Sequence, residues 1–293
     1  MSQEIIVRVF NYLKSIVRGG RAGPGAAGKP DVARCGGVEE MAVPAHYTVS
    51  GIRILSPGAR PAVDSKGCPL SCQISYWSEL VDVLFPGGFI GTFVEVGAFD
   101  GFSFSNTWML ADRGWRGLMI EANLSYAEVC RQNHSRHPAV NVANYAIGSI
   151  DGSTVSLCCA GALSTCDTQL VEEMSGIDWA PDLSGAEWIE VPTRTLDSLL
   201  AEYRMAPNLD MVVVDVEGWE CEVLAGFDLD RWQPKVIVIE IADFHPDFPG
   251  RRSEGVQLTK LICSLGYSVC YKDIINTVFV RQEYLANLAG PVF

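Results

Sequence analysis

The sequence lacks several features, and each lack removes a class of function. No uninterrupted apolar run approaches the roughly 18 residues that cross a bilayer. The opening stretch, MSQEIIVRVFNYLKSIVRGG, has no basic segment followed by a continuous apolar one. No secretory leader is expected from it, and the protein is expected to be cytoplasmic. Positive charge is scarce: 22 Lys and Arg stand against 35 Asp and Glu, a net charge of −13. Phosphate backbones are held by clustered cations, so nucleic acid is not an expected partner. Ten cysteines are present, yet no C-x-x-C occurs. Cys68 with Cys72, and Cys158 and Cys159 with Cys166, match no zinc-ligand spacing. Reduced thiols packed as small hydrophobes are expected instead.

What is present supports a substantial core. Hydrophobic residues make up 48% and charged residues 19% of the 293 residues. That length accommodates one large α/β domain with extensions. Residues 3–18 carry Ile5, Ile6, Val9, Phe10, Leu13, Ile16 and Val17 at helical spacing. This predicts an amphipathic helix, docked on the body or on a second copy in a homo-oligomer, with a membrane-surface or partner helix as the alternative. The Gly-rich residues 19–31 read as a flexible linker. Residues 32–72 form an N-terminal extension of weak pattern, with a candidate strand at 47–55. A domain then occupies 73–293, with a helix predicted at 73–85 and stopped by Pro86-Gly87-Gly88.

The domain is organised around residues 92–123, TFVEVGAFDGFSFSNTWMLADRGWRGLMIEAN. An apolar run at 93–96 meets a turn with Gly97 and Gly101. A helix is predicted at 104–113. A second apolar run at 117–120 ends on Glu121. Strand, glycine turn, helix, strand and acid form the order by which an open parallel sheet holds a nucleoside. Glycine lets the backbone turn sharply and approach a ligand. Glu121 follows Gly97 at near the ~20-residue spacing that sets a carboxylate on ribose hydroxyls. Glu95, inside the first strand, is costly to bury unpaired, and a cationic ligand group such as an α-ammonium would match it. The turn reads E-x-G-x-x-x-G rather than G-x-G-x-x-G, so the pyrophosphate cradle is incomplete. That favours S-adenosylmethionine (SAM), which has no phosphate, over a dinucleotide.

Further along, a helix is predicted at 125–134 and a third strand at 140–147. The end of that strand makes Asn144 and Ala146 candidates for the adenine. Asp151-Gly152 signals a turn, with a strand at 154–158 following as a hairpin. Residues 159–188 lack periodicity but hold Trp179 and Trp188, and they are expected to form a lid or substrate-binding insertion. A short edge strand is predicted at 189–192 and a capped helix start at 195–200. The run MVVVDVEGWECE at 211–222 reads as a fully buried strand ending on Asp215, then Glu217-Gly218, with Glu220 and Glu222 opening a helix. A fifth strand at 236–239 ends on Glu240, followed by Asp243, His245 and Asp247. A helix at 254–264 and a strand pair at 267–271 and 277–281 close the domain. Four strands thus end near acids: Glu95 with Asp100, Glu121, Asp215 with Glu217, and Glu240. At one edge of one sheet they suggest a site.

These phrases carry a likeness. FVEVGAFDGFSFSNT, GWRGLMIEAN, TRTLDSLL and VVVDVEGWECEVLAGF followed by PKVIVIE resemble the FkbM-type SAM-dependent methyltransferases over residues 73–281. The resemblance implies a seven-stranded, Rossmann-like class I methyltransferase sheet with helices on both faces. It implies O-methylation of a hydroxyl on a sugar, polyketide or other natural product. By position, Glu95, Gly97 and Gly101, with Ala98, Phe99 and Asp100 between, would line the methionine part of SAM. Glu121, followed by Ala122, would hold the ribose, with Asn144 and Ala146 near the adenine and Asp215 by the transferred methyl. Phe99 stands where the family often has Asn, and Ala122-Asn123 where it often has a proline.

The expected chemistry is in-line transfer to a hydroxyl oxygen. The candidate bases are His245, Asp215, Glu217 and Asp243, with His245 titrating nearest neutral pH. A divalent ion on Asp215 and Glu217 is the lesser alternative, and no metal ligands are assigned. Two rival readings remain: a nicotinamide-dependent oxidoreductase on a similar sheet, and a non-catalytic binding protein that keeps the fold.

Overall fold

In the computed structural model of the chain, residues 62–288 are described. The helix expected at 3–18, the linker at 19–31 and the candidate strand at 47–55 lie outside them.

Seven strands make the main sheet: β1 (Thr92–Val96), β2 (Arg116–Ile120), β3 (Val140–Ala143), β7 (Met211–Val214), β8 (Val236–Glu240), β9 (Tyr267–Lys272) and β10 (Asn276–Arg281). Their order is β3-β2-β1-β7-β8-β10-β9. The first five run parallel; β10 is antiparallel to β8, and β9 to β10. This is a class I methyltransferase-like sheet, as the resemblance implies. The central strands form because their runs are apolar on both sides, the mark of parallel strands covered by helices on two faces. Phe93, Met211, Val213, Val236, Val238, Val278 and Val280 face one core. Helices α1 (Trp77–Leu84), α2 (Trp108–Asp112) and α9 (Gln282–Leu288) pack there. Val94, Val96, Val212, Val214, Ile237, Ile239 and Phe279 face the other core. It is closed by α5 (Leu196–Glu202), α6 (Glu220–Ala225), α7 (Leu229–Trp232) and α8 (Arg252–Ser264).

The two edges of the sheet differ in charge balance. Where β7 begins, Asp210 accepts from Thr92 N at 2.7 Å and pairs with Lys235 at 2.5 Å. At the carboxyl edge, among the described residues, no lysine or arginine forms an ion pair with Glu95, Glu121, Asp215, Glu217 or Glu240.

Several elements depart from the sequence expectation. The helix expected from 104 begins only at Trp108. Phe104 sits in left-handed backbone, φ 63. Ser105 Oγ then takes the N–H groups of Thr107 and Trp108, each at 3.1 Å, so it caps a later start. The third strand breaks after Ala143, and Ala146–Ile147 (β4) joins a small second sheet of order β4-β6-β5. The expected hairpin is therefore absent. β5 (Thr154–Cys159) pairs antiparallel with β6 (Glu187–Arg194), and β6 lies between β4 and β5. Asp151 does not simply close a hairpin turn: its carboxylate takes Thr195 N at 2.8 Å and Ser198 Oγ at 2.5 Å at the start of α5. The strand expected at the edge is thus the centre of its sheet, and it is eight residues long. The insertion before it holds a 3-10 turn at Gly161–Leu163 and one α-helix, α4 (Thr168–Met174), capped by Asp167.

Candidate active site

β1 ends at Val96, and Gly97 turns with φ +88. A Cβ there would lie 1.6 Å from the Asp215 carbonyl oxygen. The glycine is required by close approach of the β7 end, which is also held by Asp215 N donating to Val96 O at 2.9 Å. The N–H groups of the turn are spent inside the protein. Gly97 N and Ala98 N both donate to Ile120 O. Phe99 N donates to Glu121 Oε2 at 2.8 Å, and Phe102 N and Ser103 N to Asp100 Oδ1. Asp100 is fully buried, and Asn133 Nδ2 donates to its carbonyl at 2.7 Å. Gly101 fits because a Cβ would meet Cys130 Sγ at 2.6 Å; its carbonyl contacts His134 Nε2 at 2.8 Å. Burial lowers His134 to about 4, so its imidazole is neutral near pH 7 and donates to that carbonyl. Phe99 adopts φ 48. That region is one asparagine tolerates better than most residues, so Phe99 holds it under strain. The Phe99 ring meets Tyr126 edge-on at 4.8 Å.

Glu121 closes the turn from the end of β2. One carboxylate oxygen takes Phe99 N, and the other takes Asn123 N at 2.8 Å. With Ala122 N also close to it, the carboxylate keeps a spare acceptor position for a hydroxyl. Burial pushes this carboxyl up to about 7. Glu121, Ala122, Ala146, Gly97, Phe99, Tyr145, Cys166 and Trp219 line one small cavity. Asn144 lies just outside it, with Nδ2 donating to the Glu121 and Ala122 carbonyls at 2.8 Å each. Asp100 and Gly101 also line neither this cavity nor the larger cleft.

That larger cleft, of about 1910 Å³, opens over the carboxyl edge. Glu95 lies on its floor, 4% exposed. Its carboxylate accepts from Thr107 Oγ1 at 2.7 Å, Ser105 Oγ at 3.1 Å and Asn106 N at 3.3 Å. Burial raises it to about 7 despite these bonds, and the Asp215 charge adds to the shift. Beside it, one carboxylate oxygen from each of Asp215, Glu217 and Glu240 lies within 4.8 Å of the others. Burial lifts all three carboxyls above their ordinary values. The charge of Asp215 raises Glu217 further, and Glu217 and Asp215 raise Glu240. Glu217 has left-handed backbone, φ 54, a conformation that non-glycine residues hold only where surroundings enforce it. Thr165 Oγ1 enforces it by donating to the Glu217 carbonyl at 2.6 Å.

The expected insertion forms part of the cleft wall. Leu163, Leu170, Met174 and Trp179 line the cleft. Arg251 ties this wall down, reaching Asp167 at 2.6 Å and Glu173 at 2.7 Å. Nothing in the sequence marked Arg251, since its two acidic partners are distant in the chain. Asp243 is engaged by Lys272 at 2.8 Å and is not an open base. His245 lies against Phe248 and Trp179, with ring centroids 4.9 and 5.8 Å apart. Burial lowers its pKa. Asp247 N donates to its Nδ1 at 3.2 Å, so the neutral ring carries its proton on Nε2 and offers a donor there.

Residues 95–269 match the family model of the methyltransferase FkbM domain. No curated protein gives a significant sequence match. Among solved structures, an O-methyltransferase from Bacillus cereus in complex with SAH is 15% identical, with 72% of this chain and 84% of that one covered and a TM-score of 0.40. The O-methyltransferase TomG from Streptomyces achromogenes, involved in tomaymycin synthesis and in complex with SAM, is 15% identical; 69% and 76% are covered, with a TM-score of 0.36. A putative RNA methyltransferase from Pyrococcus horikoshii is 11% identical over 80% and 92%, with a TM-score of 0.38.

Proposed function

The chain belongs to the methyltransferase FkbM domain family, and from that premise we propose that it moves the SAM methyl to a hydroxyl oxygen of a small organic acceptor, such as a sugar or polyketide-type natural product. The observation that carries the cofactor reading is the turn after β1. Its N–H groups at 97, 98, 99, 102 and 103 are all satisfied internally, which leaves them no part in a pyrophosphate cradle. Glu121 offers a spare acceptor position for a ribose hydroxyl, and the acids on the cleft floor suit the cationic sulfonium and α-ammonium of SAM. These features favour SAM over a nicotinamide dinucleotide.

The transfer forms one bond and breaks one. The acceptor oxygen attacks the methyl carbon in line with the leaving sulfur. The C–O bond forms, the C–S bond breaks, and S-adenosylhomocysteine (SAH) departs neutral at sulfur. The hydroxyl proton leaves towards the carboxylates of Asp215, Glu217 and Glu240, whose raised pKa values suit them to accept it. Holding both reactants in one cleft removes the entropy cost of their encounter. The acidic floor disfavours phosphorylated acceptors through like-charge repulsion. Apolar side chains on the wall fit an acceptor with a hydrophobic body and hydroxyl groups. Among the described residues, nine cysteines are free. That accords with a reducing, cytoplasmic setting, and among those residues no helix is long and apolar enough to cross a membrane.

The test is product analysis after incubation with methyl-labelled SAM and a panel of neutral sugars and polyketide alcohols. Label in a new methoxy group supports the proposal. Label on nitrogen or carbon alone, across a panel that includes amines, refutes it.

A further inference from the structure

We propose that Asp215, Glu217, Glu240 and Asn276 form a divalent-cation site on the cleft floor, and that the ion binds the acceptor hydroxyl. The inference rests on the methyl-transfer reading for its role, but not for its existence.

Sheet register places the ligands. Val96 lies beside Val214, and Val214 beside Ile239. One step on, Asp215 stands beside Glu240. The antiparallel partner of Glu240 is Asn276. Val213, Val238 and Val278, two positions away on the same strands, share one core. Side chains alternate across a strand, so Asp215, Glu240 and Asn276 share that face in one lateral row. Glu217 then curls back to complete the three-carboxylate group within 4.8 Å. A metal–oxygen bond of about 2.1–2.5 Å spans such a group, since two ligands on opposite sides lie up to about 5 Å apart.

A second observation is independent of the acids. Asn276 is 1% exposed, yet its Nδ2 has no hydrogen-bond partner. Opposite it, the buried Oε2 of Glu240 also has none. Buried polar atoms are almost always paired, and an unpaired one costs roughly 1–3 kcal/mol. A hydrated ion answers both. The carboxylate oxygen coordinates it, and the amide donates to a metal-bound water or turns about Cβ–Cγ to present Oδ1. Among the described residues no protein cation pairs with the three carboxylates, and the Arg251 charge reaches only Glu217, from a distance. Arg251, on the cleft wall, is already held by Asp167 and Glu173. The donor set is all oxygen, which selects hard ions such as Mg²⁺, Mn²⁺ or Ca²⁺ over soft ones. Such an ion lowers the pKa of a coordinated hydroxyl; with the ion bound, the three carboxylates serve as ligands and the hydroxyl proton leaves to solvent instead.

Calorimetric titration of Mn²⁺ alone into metal-free full chain tests the site, with SAH binding measured on the same samples. The expected result is one saturable Mn²⁺ per chain. Affinity falls at least tenfold in Asp215→Asn and Glu240→Gln, and is unchanged in Glu222→Gln, a half-buried acid on α6 that accepts from Ser149 Oγ away from the cluster. Far-UV circular dichroism checks folding. Should the first two variants unfold, Asn276→Asp decides, since a fourth carboxylate tightens Mn²⁺ several-fold if the row is the site. Absence of saturable binding, or affinity unmoved by these variants, overturns the proposal. SAH binding without Mn²⁺ binding overturns the ion and leaves the methyltransferase reading standing. Mn²⁺ binding without SAH supports the ion and counts against that reading.

Discussion

Gly97 and Asp215 meet backbone to backbone: the missing Cβ of one would lie 1.6 Å from the carbonyl oxygen of the other. This contact joins the ends of the two central strands that carry the glycine turn and the acid cluster. Its consequence separates from ordinary backbone strain. Gly114 has nearly the same conformation, φ +84 against +88, but open space where its Cβ would be. Gly114→Ala should cost about 1 kcal/mol, the strain alone. Gly97→Ala should cost clearly more and weaken SAH binding at least tenfold. Urea midpoints of the two variants check this, and equal losses would contradict it.

Glu95 links the floor to pH. Its folded carboxyl holds a proton up to about 7, against 4.5 for the ordinary group, because it is buried. Between those values the folded state binds more protons than the unfolded one. Stability from this group therefore falls as pH rises through that window. Gln at this position carries no charge to bury. Glu95→Gln should match the wild type near pH 5 and exceed it near pH 8, by on the order of 1–3 kcal/mol. Denaturation at both pH values measures the difference, and a pH-independent difference would rule the account out.

His245 is the residue whose chemistry looked most suited to catalysis in the sequence. In the structure its Nδ1 accepts the Asp247 N–H, and it packs between Trp179 and Phe248. It lines the cleft wall. His245→Gln should keep the methyl-transfer rate within a few-fold of wild type while raising the acceptor KM. A loss of a hundredfold or more in kcat would restore it as the base.

The sheet was legible because its central strands are short apolar runs, interrupted only by Glu95 in β1, that stop on glycine or an acid. Val213 and Ile237 need no other information to be core. The site was legible to the extent that acids end those strands: Glu121, Asp215 and Glu240 all lie at the carboxyl edge. Three things were not. Asn276 adjoins Glu240 only through the antiparallel register of β8 and β10, which no local pattern encodes. The hairpin after Gly148 failed because Asp151 serves the start of α5, a contact between residues more than forty positions apart. Asp243 looked like a site acid, and its pairing with Lys272 depends on β9 lying nearby. In each case local chemistry was read correctly and the partner was set by tertiary packing.

The central claim is that the turn after β1 and Glu121 together hold SAM. Calorimetric titration of SAH and of NAD into wild type and Glu121→Ala tests it most directly. The account predicts one SAH site in the wild type, at least a tenfold loss in Glu121→Ala, and no NAD binding. SAH binding that is unaffected by Glu121→Ala, or tight binding of NAD in its place, would contradict it.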